Sequence, residues 1–204
     1  SVYNASLNGS SILVNRSTDG GVTFGAQNVA ISSIPGGIIC AGRYTVKNCI
    51  RTDGFPRMAA DNSYTSSRGN VYVVYCVNPL TADIADINFV RSTDYGVTWS
   101  QPIRVNDDNT TTDQWMPAIS CDSKTGKIYV SWFDSREDPA NNLLTKIYAS
   151  VSTDGGQTFT ANAPVSNALF NPNNMAVGQP GGERYIGDYH GISAIGNTSY
   201  VVWM

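Results

Sequence analysis

The sequence predicts an all-β fold, and three observations support this prediction. One short motif occurs three times along the chain, and each copy stands between two apolar runs. These runs alternate apolar and polar residues over about four to eight positions, which is typical of strands with one buried face. No stretch carries a helical period, and Asn, Ser, Thr and Gly supply most of the polar residues. The chain is therefore expected to consist of strands joined by turns.

The repeated motif reads Ser-Thr-Asp-x-Gly-x-Thr-aromatic and is expected to form the turn of a β-hairpin. Its Asp can accept hydrogen bonds from backbone N–H groups, and Gly supplies positive φ. The Thr and the aromatic ring then re-enter the next strand as packing residues. Because the second copy has Tyr95 in place of the first glycine, only the second glycine is predicted to be sterically required. The residues that define the motif are Ser17, Asp19, Gly21, Phe24, Ser92, Asp94, Gly96, Trp99, Ser152, Asp154, Gly156 and Phe159.

The strand-like runs group into two complete four-strand units, 55–106 and 115–165, and two partial units, 1–54 and 183–204. In each complete unit three strands precede the motif and the fourth follows it. In the first partial unit one strand leads directly into the motif and one more strand. The predicted strands are 12–16, 55–61, 70–77, 86–91, one ending at 105, 117–122, 127–133, 146–151, 159–165, 185–195 and 199–203.

The three motif copies resemble the Asp-box, or bacterial neuraminidase repeat, of sialidases and of many secreted proteins that are not sialidases. The resemblance covers nearly the whole chain. It implies a sialidase-like β-propeller of four-stranded antiparallel blades, with an Asp-box between the third and fourth strands of a blade. About three blades' worth is present, which is below the usual range of about four to eight. We therefore expect part of a six- or seven-bladed propeller, and the alternative is that two copies close one six-bladed ring.

Composition limits the partners that the chain can have. With 204 residues, of which 41% are hydrophobic, it can bury the core of one domain or of part of one. Charged residues make up 14%, the net charge is −3, and no basic stripe predicts a nucleic-acid partner. No apolar run approaches the ~20 residues that cross a bilayer, so membrane insertion is not expected. No signal peptide is visible and the chain does not begin with Met, so we expect a mature or excised segment.

The cysteines and the glycosylation sequons favour an oxidising, extracellular setting. Cys40 and Cys49 bracket a short loop and are expected to form a disulfide, which would contribute about 2–3 kcal/mol. Cys76 and Cys121 lie in strand-like runs, where an unpaired buried thiol is expected. No CxxC spacing or Cys/His cluster indicates zinc. The Asn-x-Ser/Thr sequons, which support secretion only weakly, begin at Asn4, Asn8, Asn15, Asn109 and Asn197.

The strand order predicts which loops could carry a site. If the motif turns join third and fourth strands, the loops between first and second strands share their face. The remaining loops share the opposite face, and they are the longer and more irregular ones. Long irregular loops are where binding and catalytic residues concentrate. On the opposite face lie 32–54, 78–86, 106–114, 134–144 and 166–182.

The resemblance implies what a sialidase-type site would need on that face. It needs arginines that bind a carboxylate, a tyrosine nucleophile activated by a glutamate, and an aspartic acid for proton transfer. Our candidates for these catalytic roles are Glu183, Arg184 and Tyr185, at the mouth of an inner strand, together with Asp53. The Phe-Arg-Ile-Pro signature of sialidases is absent, and the nearest string, at 55–57, differs in order. Residues of the required types also include Arg51, Glu137 and Asp188.

Four residues of the same face are candidates for binding: Arg57, Asp134, Arg136 and His190. Two alternatives compete with this interpretation. Asp134 and Arg136 also fit an ion pair that fixes their loop. His190, the only histidine, also fits a hydrogen-bonded strand residue rather than a general base.

An acidic stretch offers the only candidate for a metal site. Asp107, Asp108 and Asp113 carry oxygen ligands of the kind that Ca²⁺ prefers. They lack the spacing of a known calcium loop, so a solvated acidic turn is the stronger expectation. We therefore assign no cofactor.

These observations predict a secreted or cell-surface protein that acts in extracellular recognition or scaffolding, with glycans or other extracellular proteins as partners. One alternative is a glycoside hydrolase of the exo-sialidase type, with the rest of its site in blades outside the chain. Another is a structural subunit that self-associates through open blade edges. The fold hosts unrelated functions, so the resemblance by itself does not choose among them.

Overall fold

The computed structural model describes residues 2–4, 10–52, 54, 56–178, 182, 184–187 and 189–204, with backbone alone for 2–4 and 10. In the described residues the regular structure is strand apart from one 3-10 helix, η1 (Pro172–Asn174). The all-β prediction is therefore confirmed. None of the helical structure in this part of the chain is long or apolar enough to cross a membrane.

The strands are short, and most of them run antiparallel to their neighbours in the chain. Their bounds are β1 (Val2–Asn4), β2 (Ser10–Val14), β3 (Asn28–Ser33), β4 (Ile38–Cys40), β5 (Arg43–Val46), β6 (Ile50–Arg51), β7 (Arg57–Ala60), β8 (Val71–Val77), β9 (Asp86–Ser92), β10 (Ile103–Arg104), β11 (Gln114–Cys121), β12 (Ile128–Asp134), β13 (Lys146–Ser152), β14 (Ala163–Pro164), β15 (Val177–Gly178), β16 (Arg184–Tyr185), β17 (Gly191–Ile195) and β18 (Thr198–Val202).

Two four-stranded antiparallel sheets form the centre of the molecule. The second sheet has the order β7-β8-β9-β10, and the third has the order β11-β12-β13-β14. The first sheet (β1, β2, β3) precedes them, and the last hairpin (β17, β18) follows. Strand β11 packs against β7 and β8 on one side and against β17 on the other. The sheets therefore stand side by side with their first strands adjacent, which is the arrangement of propeller blades.

The main core fills the space between the second and third sheets. Trp115, Trp132, Phe89, Ile128 and Ile147 are all at most 1% exposed there. Strand β12 is buried along its whole length, because neighbouring sheets cover both of its faces. A smaller cluster, which includes side chains of β2, β8 and β9, joins the first sheet to the second.

The two longest predicted loops form a sheet that the sequence analysis did not predict. This loop sheet has the order β15-β16-β6-β5-β4 and combines residues 38–51 with residues 177–185. Strand β16 pairs in parallel with β6, where Arg184 lies opposite Ile50. The predicted disulfide between Cys40 and Cys49 is present and closes one end of this sheet. Cys76 and Cys121 are both unpaired, as expected. Cys76 is buried, whereas Cys121 is only half-buried.

Most strand ends differ from prediction by one to three residues, and three differences are larger. The expected strand 185–195 divides into β16 and β17, because Gly187 adopts a φ of 100° and interrupts the extended chain. The fourth strand of the third sheet is regular only at Ala163 and Pro164, where the proline cannot donate to the ladder, although Thr160 and Val165 also donate to carbonyl oxygens of β13. Residues 2–4 add the strand β1, which pairs with β2 through Tyr3 and Leu13 and was not predicted.

Candidate functional site

The three motif copies form the same hydrogen-bonded turn, and we call them the first (17–24), second (92–99) and third (152–159) repeat turns. In each turn the Ser Oγ donates to the Asp carboxylate over 2.7–2.8 Å. The same Oγ accepts the N–H of the second glycine at 2.7–2.9 Å. The Asp carboxylate also accepts the hydroxyl of the Thr four residues later, at 2.5–2.6 Å. The carboxylate accepts the backbone N–H of that Thr as well, at 2.8–3.0 Å.

These turns hold their carboxylates in the charged form. The hydroxyl of Thr98 is the largest influence on Asp94 and helps to lower its pKa to about 2. In the first turn, the hydroxyl of Thr23 lowers the pKa of Asp19 in the same way. Each of these carboxylates thus accepts several hydrogen bonds from its own turn. The structural role of the motif residues stays a prediction.

The glycine requirement in these turns is conformational more than steric, which corrects the expectation from sequence. In all three turns the residues at both glycine positions adopt positive φ. Tyr95, which replaces the first glycine in the second turn, has a φ of 62°. A Cβ on Gly21 would meet no atom within 4 Å, so sterics do not require glycine there. In the third turn a Cβ on Gly156 would lie 2.6 Å from the Phe89 ring. Only that turn adds a steric demand to the conformational one.

The aromatic residues of the repeat turns do not all pack as predicted. Phe159 meets Phe89 of the second sheet edge-on, with ring centroids 5.1 Å apart. Trp99 is half-buried against the cluster that joins the first and second sheets. Phe24 is instead 57% exposed. The prediction that the aromatic residue of each turn packs against a strand is therefore wrong for Phe24. No sheet in the described part of the chain covers its ring.

The catalytic candidates at the loop sheet have clear structural contacts where they are described. The Arg184 guanidinium donates to the Oδ1 of Asn173 at 3.0 Å and to the carbonyl oxygens of Asn173 and Ala176 at 2.9 and 3.0 Å. It thereby ties the 3-10 helix to β16. Tyr185 is 47% exposed, and the Arg51 guanidinium lies 5.9 Å from its ring centroid. Glu183, Asp53 and Asp188 lie outside the described residues.

A second arginine–tyrosine pair lies near the beginning of the neighbouring inner strands. Arg57 is the first residue of β7, and its guanidinium lies 4.7 Å from the ring centroid of Tyr189, just before β17. Tyr189 is 71% exposed. We call Arg51, Tyr185, Arg57 and Tyr189 the Arg–Tyr surface. Each pair places a cation against an exposed aromatic ring.

His190 is buried directly behind this surface. Its Nε2 lies 2.8 Å from the Ser131 Oγ, and its ring packs edge-on against Phe133. Burial, with a further contribution from the charge of Arg57, lowers the pKa of His190 to about 4. The imidazole is therefore neutral near pH 7 and links the start of β17 to β12.

Asp134 and Arg136 form an ion pair within a larger network. The Nη2 of Arg136 lies 2.8 Å from the Oδ2 of Asp134, which also accepts the Trp132 indole N–H at 2.8 Å. The Nη1 of the same arginine lies 2.6 Å from Asp107. Asp134 is fully buried, so these contacts fix the end of β12 against the loop that follows β10.

The three acidic candidates for calcium all have cationic partners, and Arg136 is shared by Asp107 and Asp108. Asp107 contacts Arg136, Asp108 accepts from Arg104 at 3.2 Å, and Asp113 accepts from the buried Lys47 at 2.7 Å. Among the described residues no group of three metal-ligating side chains converges.

A tyrosine–glutamate pair of the type expected for a nucleophile occurs in a different place. The hydroxyl of Tyr148 donates to the Oε1 of Glu137 at 2.6 Å, and Lys146 contacts the Oε2 at 2.7 Å. Burial first, and then the hydrogen bond and charge of Glu137, raise the pKa of the Tyr148 hydroxyl. The Tyr148 hydroxyl is therefore protonated near pH 7 and bonded to the Glu137 carboxylate.

No protein-family model and no curated protein matches the sequence. Among solved structures, the chain is similar to the α-L-arabinofuranosidase Arb93A from Fusarium graminearum, with 19% identity, a TM-score of 0.45, and coverage of 58% of this chain and 32% of that one. It is similar to the Hadza microbial sialidase Hz136, with 19% identity, a TM-score of 0.44, and coverage of 79% and 34%. For the NanB sialidase from Streptococcus pneumoniae the identity is 14%, the TM-score 0.43, and the coverage 91% and 21%.

The chain thus spans roughly a fifth to a third of the length of these three structures. They are sialidases and an arabinofuranosidase, which are glycan-related proteins.

Sequence reasoning missed the Arg–Tyr surface as a unit. Tyr189 is not among the predicted site residues, although it directly precedes His190 at the start of an inner strand. Arg51 is predicted only as a residue of the required type. The signal that could have identified both is the presence of two arginines at 51–57 and of two tyrosines at 184–189, near the starts of two inner strands, although it does not say which residues pair.

Proposed function

We propose that the protein is a secreted Asp-box propeller module that recognises glycans through the Arg–Tyr surface. The observation that supports this most directly is the pair of exposed rings, Tyr185 and Tyr189, each beside an arginine near the start of the inner strands. Exposed aromatic rings offer flat apolar area with a polar tip, which suits the mixed character of a sugar ring.

The arginines indicate which glycans the surface would favour. A guanidinium presents a planar set of N–H donors that matches a carboxylate in two-point geometry. Arg51 and Arg57 each place such a group beside an exposed tyrosine ring. We therefore propose that the preferred glycans carry a carboxylate.

Two features favour the secreted setting of this proposal. The disulfide between Cys40 and Cys49 is of a kind that persists in oxidising compartments. The repeat turns have the composition and hydrogen bonding that the Asp-box resemblance implies, and that repeat is found in many secreted proteins.

The test is binding to a glycan array that includes neutral and carboxylate-bearing glycans. Tyr189→Ala should lower the affinity for acidic glycans at least about tenfold, which corresponds to about 1.4 kcal/mol. The matched control is Tyr200→Ala, because Tyr200 on β18 is similarly exposed at 66% but lies outside the surface. Arg57→Ala should selectively weaken binding of the carboxylate-bearing glycans.

Two results would reject the proposal. Absence of binding across the array would remove recognition as the function, and equal losses in both tyrosine variants would remove the Arg–Tyr surface as its location. Release of the fluorophore from a fluorogenic sialoside, abolished by Tyr185→Phe, would replace recognition with hydrolysis.

A further inference from the structure

A polar cleft lies between the second and third sheets, at the opposite end of the inner strands from the Arg–Tyr surface. It has a volume of about 560 Å³ and lies between the third repeat turn, the β7–β8 loop and the β11–β12 loop. Its walls carry mainly hydroxyl and amide groups. The side chains that matter here are Thr65, Ser67, Asn70, Arg91, Thr153 and Gln157.

The third repeat turn, which borders the cleft, differs from the second turn at one position of the motif. The second turn has Tyr95 there, and the Tyr95 ring covers Gly69 so closely that a Cβ on that glycine would lie 2.4 Å from it. The third turn has Gly155 at the same position. Gly155 lines the cleft, and a Cβ there would lie 3.7 Å from Asn70 and from Ser67, in van der Waals contact with the β7–β8 loop.

A second difference makes the third turn polar. The residue between the second glycine and the Thr is Val22 in the first turn and Val97 in the second, but Gln157 in the third. The Gln157 Nε2 donates to the carbonyl oxygen of Asp154 at 3.0 Å, which leaves its Oε1 as a further acceptor. The sequence therefore departs from its own repeat where it lines this cleft.

The opposite wall is held in place by a chain of hydroxyl groups. The Ser63 and Thr65 hydroxyls are 2.8 Å apart, the Thr65 and Ser67 hydroxyls are also 2.8 Å apart, and Ser67 donates to Asp61 at 2.6 Å. Arg91 fixes the turn by donating to the carbonyl oxygen of Gly155 at 3.0 Å. Such networks hold polar groups in one arrangement before a ligand arrives.

The charges of the cleft favour a neutral ligand. The carboxylate of Asp154 is occupied by its own turn, and that of Asp61 accepts Ser67 and the N–H of Ser63. Among the described residues that line the cleft, Arg91 is the one cation, and it is already bonded to the turn. Hydroxyls and amides, which donate and accept, remain as the recognition groups.

We propose that this cleft binds a neutral polyhydroxylated ligand of the size of a single sugar residue. The volume falls in the range of about 300–1,000 Å³ that is usual for small-molecule sites. The alternating donors and acceptors of a sugar match hydroxyl and amide side chains. The proposal does not depend on the Arg–Tyr surface, which lies at the other end of the inner strands.

The experiment is an NMR titration of the ¹⁵N-labelled chain with galactose, mannose and N-acetylglucosamine, and separately with inorganic sulfate. The side-chain amide signals of Asn70 and Gln157 should shift saturably with at least one neutral sugar. Gly155→Tyr should raise the Kd at least about tenfold by placing a ring in the cleft. This variant should fold, because Tyr95 already occupies the equivalent position with a φ of 62°, close to the 71° of Gly155.

A second variant and a control test whether the sugar binds in the cleft itself. Gln157→Val restores the residue type of the other two turns and should raise the Kd about threefold or more through loss of a hydrogen bond. Tyr200→Ala should leave the Kd unchanged, because Tyr200 is 66% exposed on β18 and belongs neither to the cleft nor to the Arg–Tyr surface. The proposal is overturned if no neutral sugar shifts these amides up to about 50 mM, if sulfate shifts them at lower concentration than any sugar, or if binding survives Gly155→Tyr.

Discussion

The first and third repeat turns share their hydrogen bonds but not their surroundings. In both, Ser and Asp close the turn with the same partners at nearly the same distances. Phe24 of the first turn is 57% exposed, whereas Phe159 of the third packs on Phe89. The turn is thus encoded by eight consecutive residues, and what its aromatic ring contributes depends on the sheet beside it.

The largest expected effect compares the two phenylalanines. Phe159→Ala removes a ring from the core between the second and third sheets and should lower the free energy of unfolding by about 2–3 kcal/mol. Phe24→Ala should lower it by less than about 0.5 kcal/mol, because the ring is mainly solvated. Urea denaturation of both variants measures the difference. Equal losses would show that the surroundings of Phe24 are as packed as those of Phe159.

The features that the sequence predicted correctly depend on local contacts, and those that it missed depend on distant ones. The repeat turns, the two four-stranded sheets and the Cys40–Cys49 disulfide arise from residues close together in the chain, and all were predicted. The loop sheet was not, because β6 and β16 are only two residues long and pair across more than a hundred positions. Strands of that length have no alternation that a periodicity test can detect.

The candidate site was less predictable for the same reason. Arg57 and Tyr189 were not recognised as a pair because nothing in the sequence connects them. Arg184 was predicted from its residue type, but the structure gives its guanidinium three partners in and near the 3-10 helix. The residue types in the sequence could therefore suggest which face of the fold carries a site. They could not predict the contacts of each side chain, because those depend on how distant loops meet.

The second glycine of the motif should matter more for stability in the third repeat turn than in the first. Gly156→Ala combines a φ of 80° with a Cβ 2.6 Å from Phe89 and should cost about 2–3 kcal/mol. Gly21→Ala has only the cost of its positive φ, about 1 kcal/mol, because no atom lies within 4 Å of its Cβ. Thermal and urea unfolding provide the measurement. If the two variants lose the same stability, the Phe89 ring moves aside without cost and the predicted clash does not occur.

The smallest effect uses pH to isolate the hydrogen bonds that the turns share. The folded pKa of Asp94 is lowered to about 2, chiefly by the Thr98 hydroxyl, from its ordinary value of 3.8. A lowered carboxyl pKa stabilises the fold above the unfolded pKa, and that stability is lost as the pH falls through the folded pKa. We therefore expect the unfolding temperature of the wild type to fall more steeply between pH 4 and pH 2 than that of Asp94→Asn.

The pH window distinguishes the turn from the core. His190 has a folded pKa of about 4, below its ordinary 6.5, so its protonation destabilises the fold as the pH falls from 6.5 to 4. That loss should be identical in the wild type and in Asp94→Asn, and only the segment below pH 4 should separate them. Asp19→Asn should give the same separation, because Thr23 lowers the pKa of Asp19 as Thr98 lowers that of Asp94. If the curves of either variant run parallel to the wild type down to pH 2, the charged carboxylate does not stabilise the turn, and its hydrogen bonds act equally well from a neutral side chain.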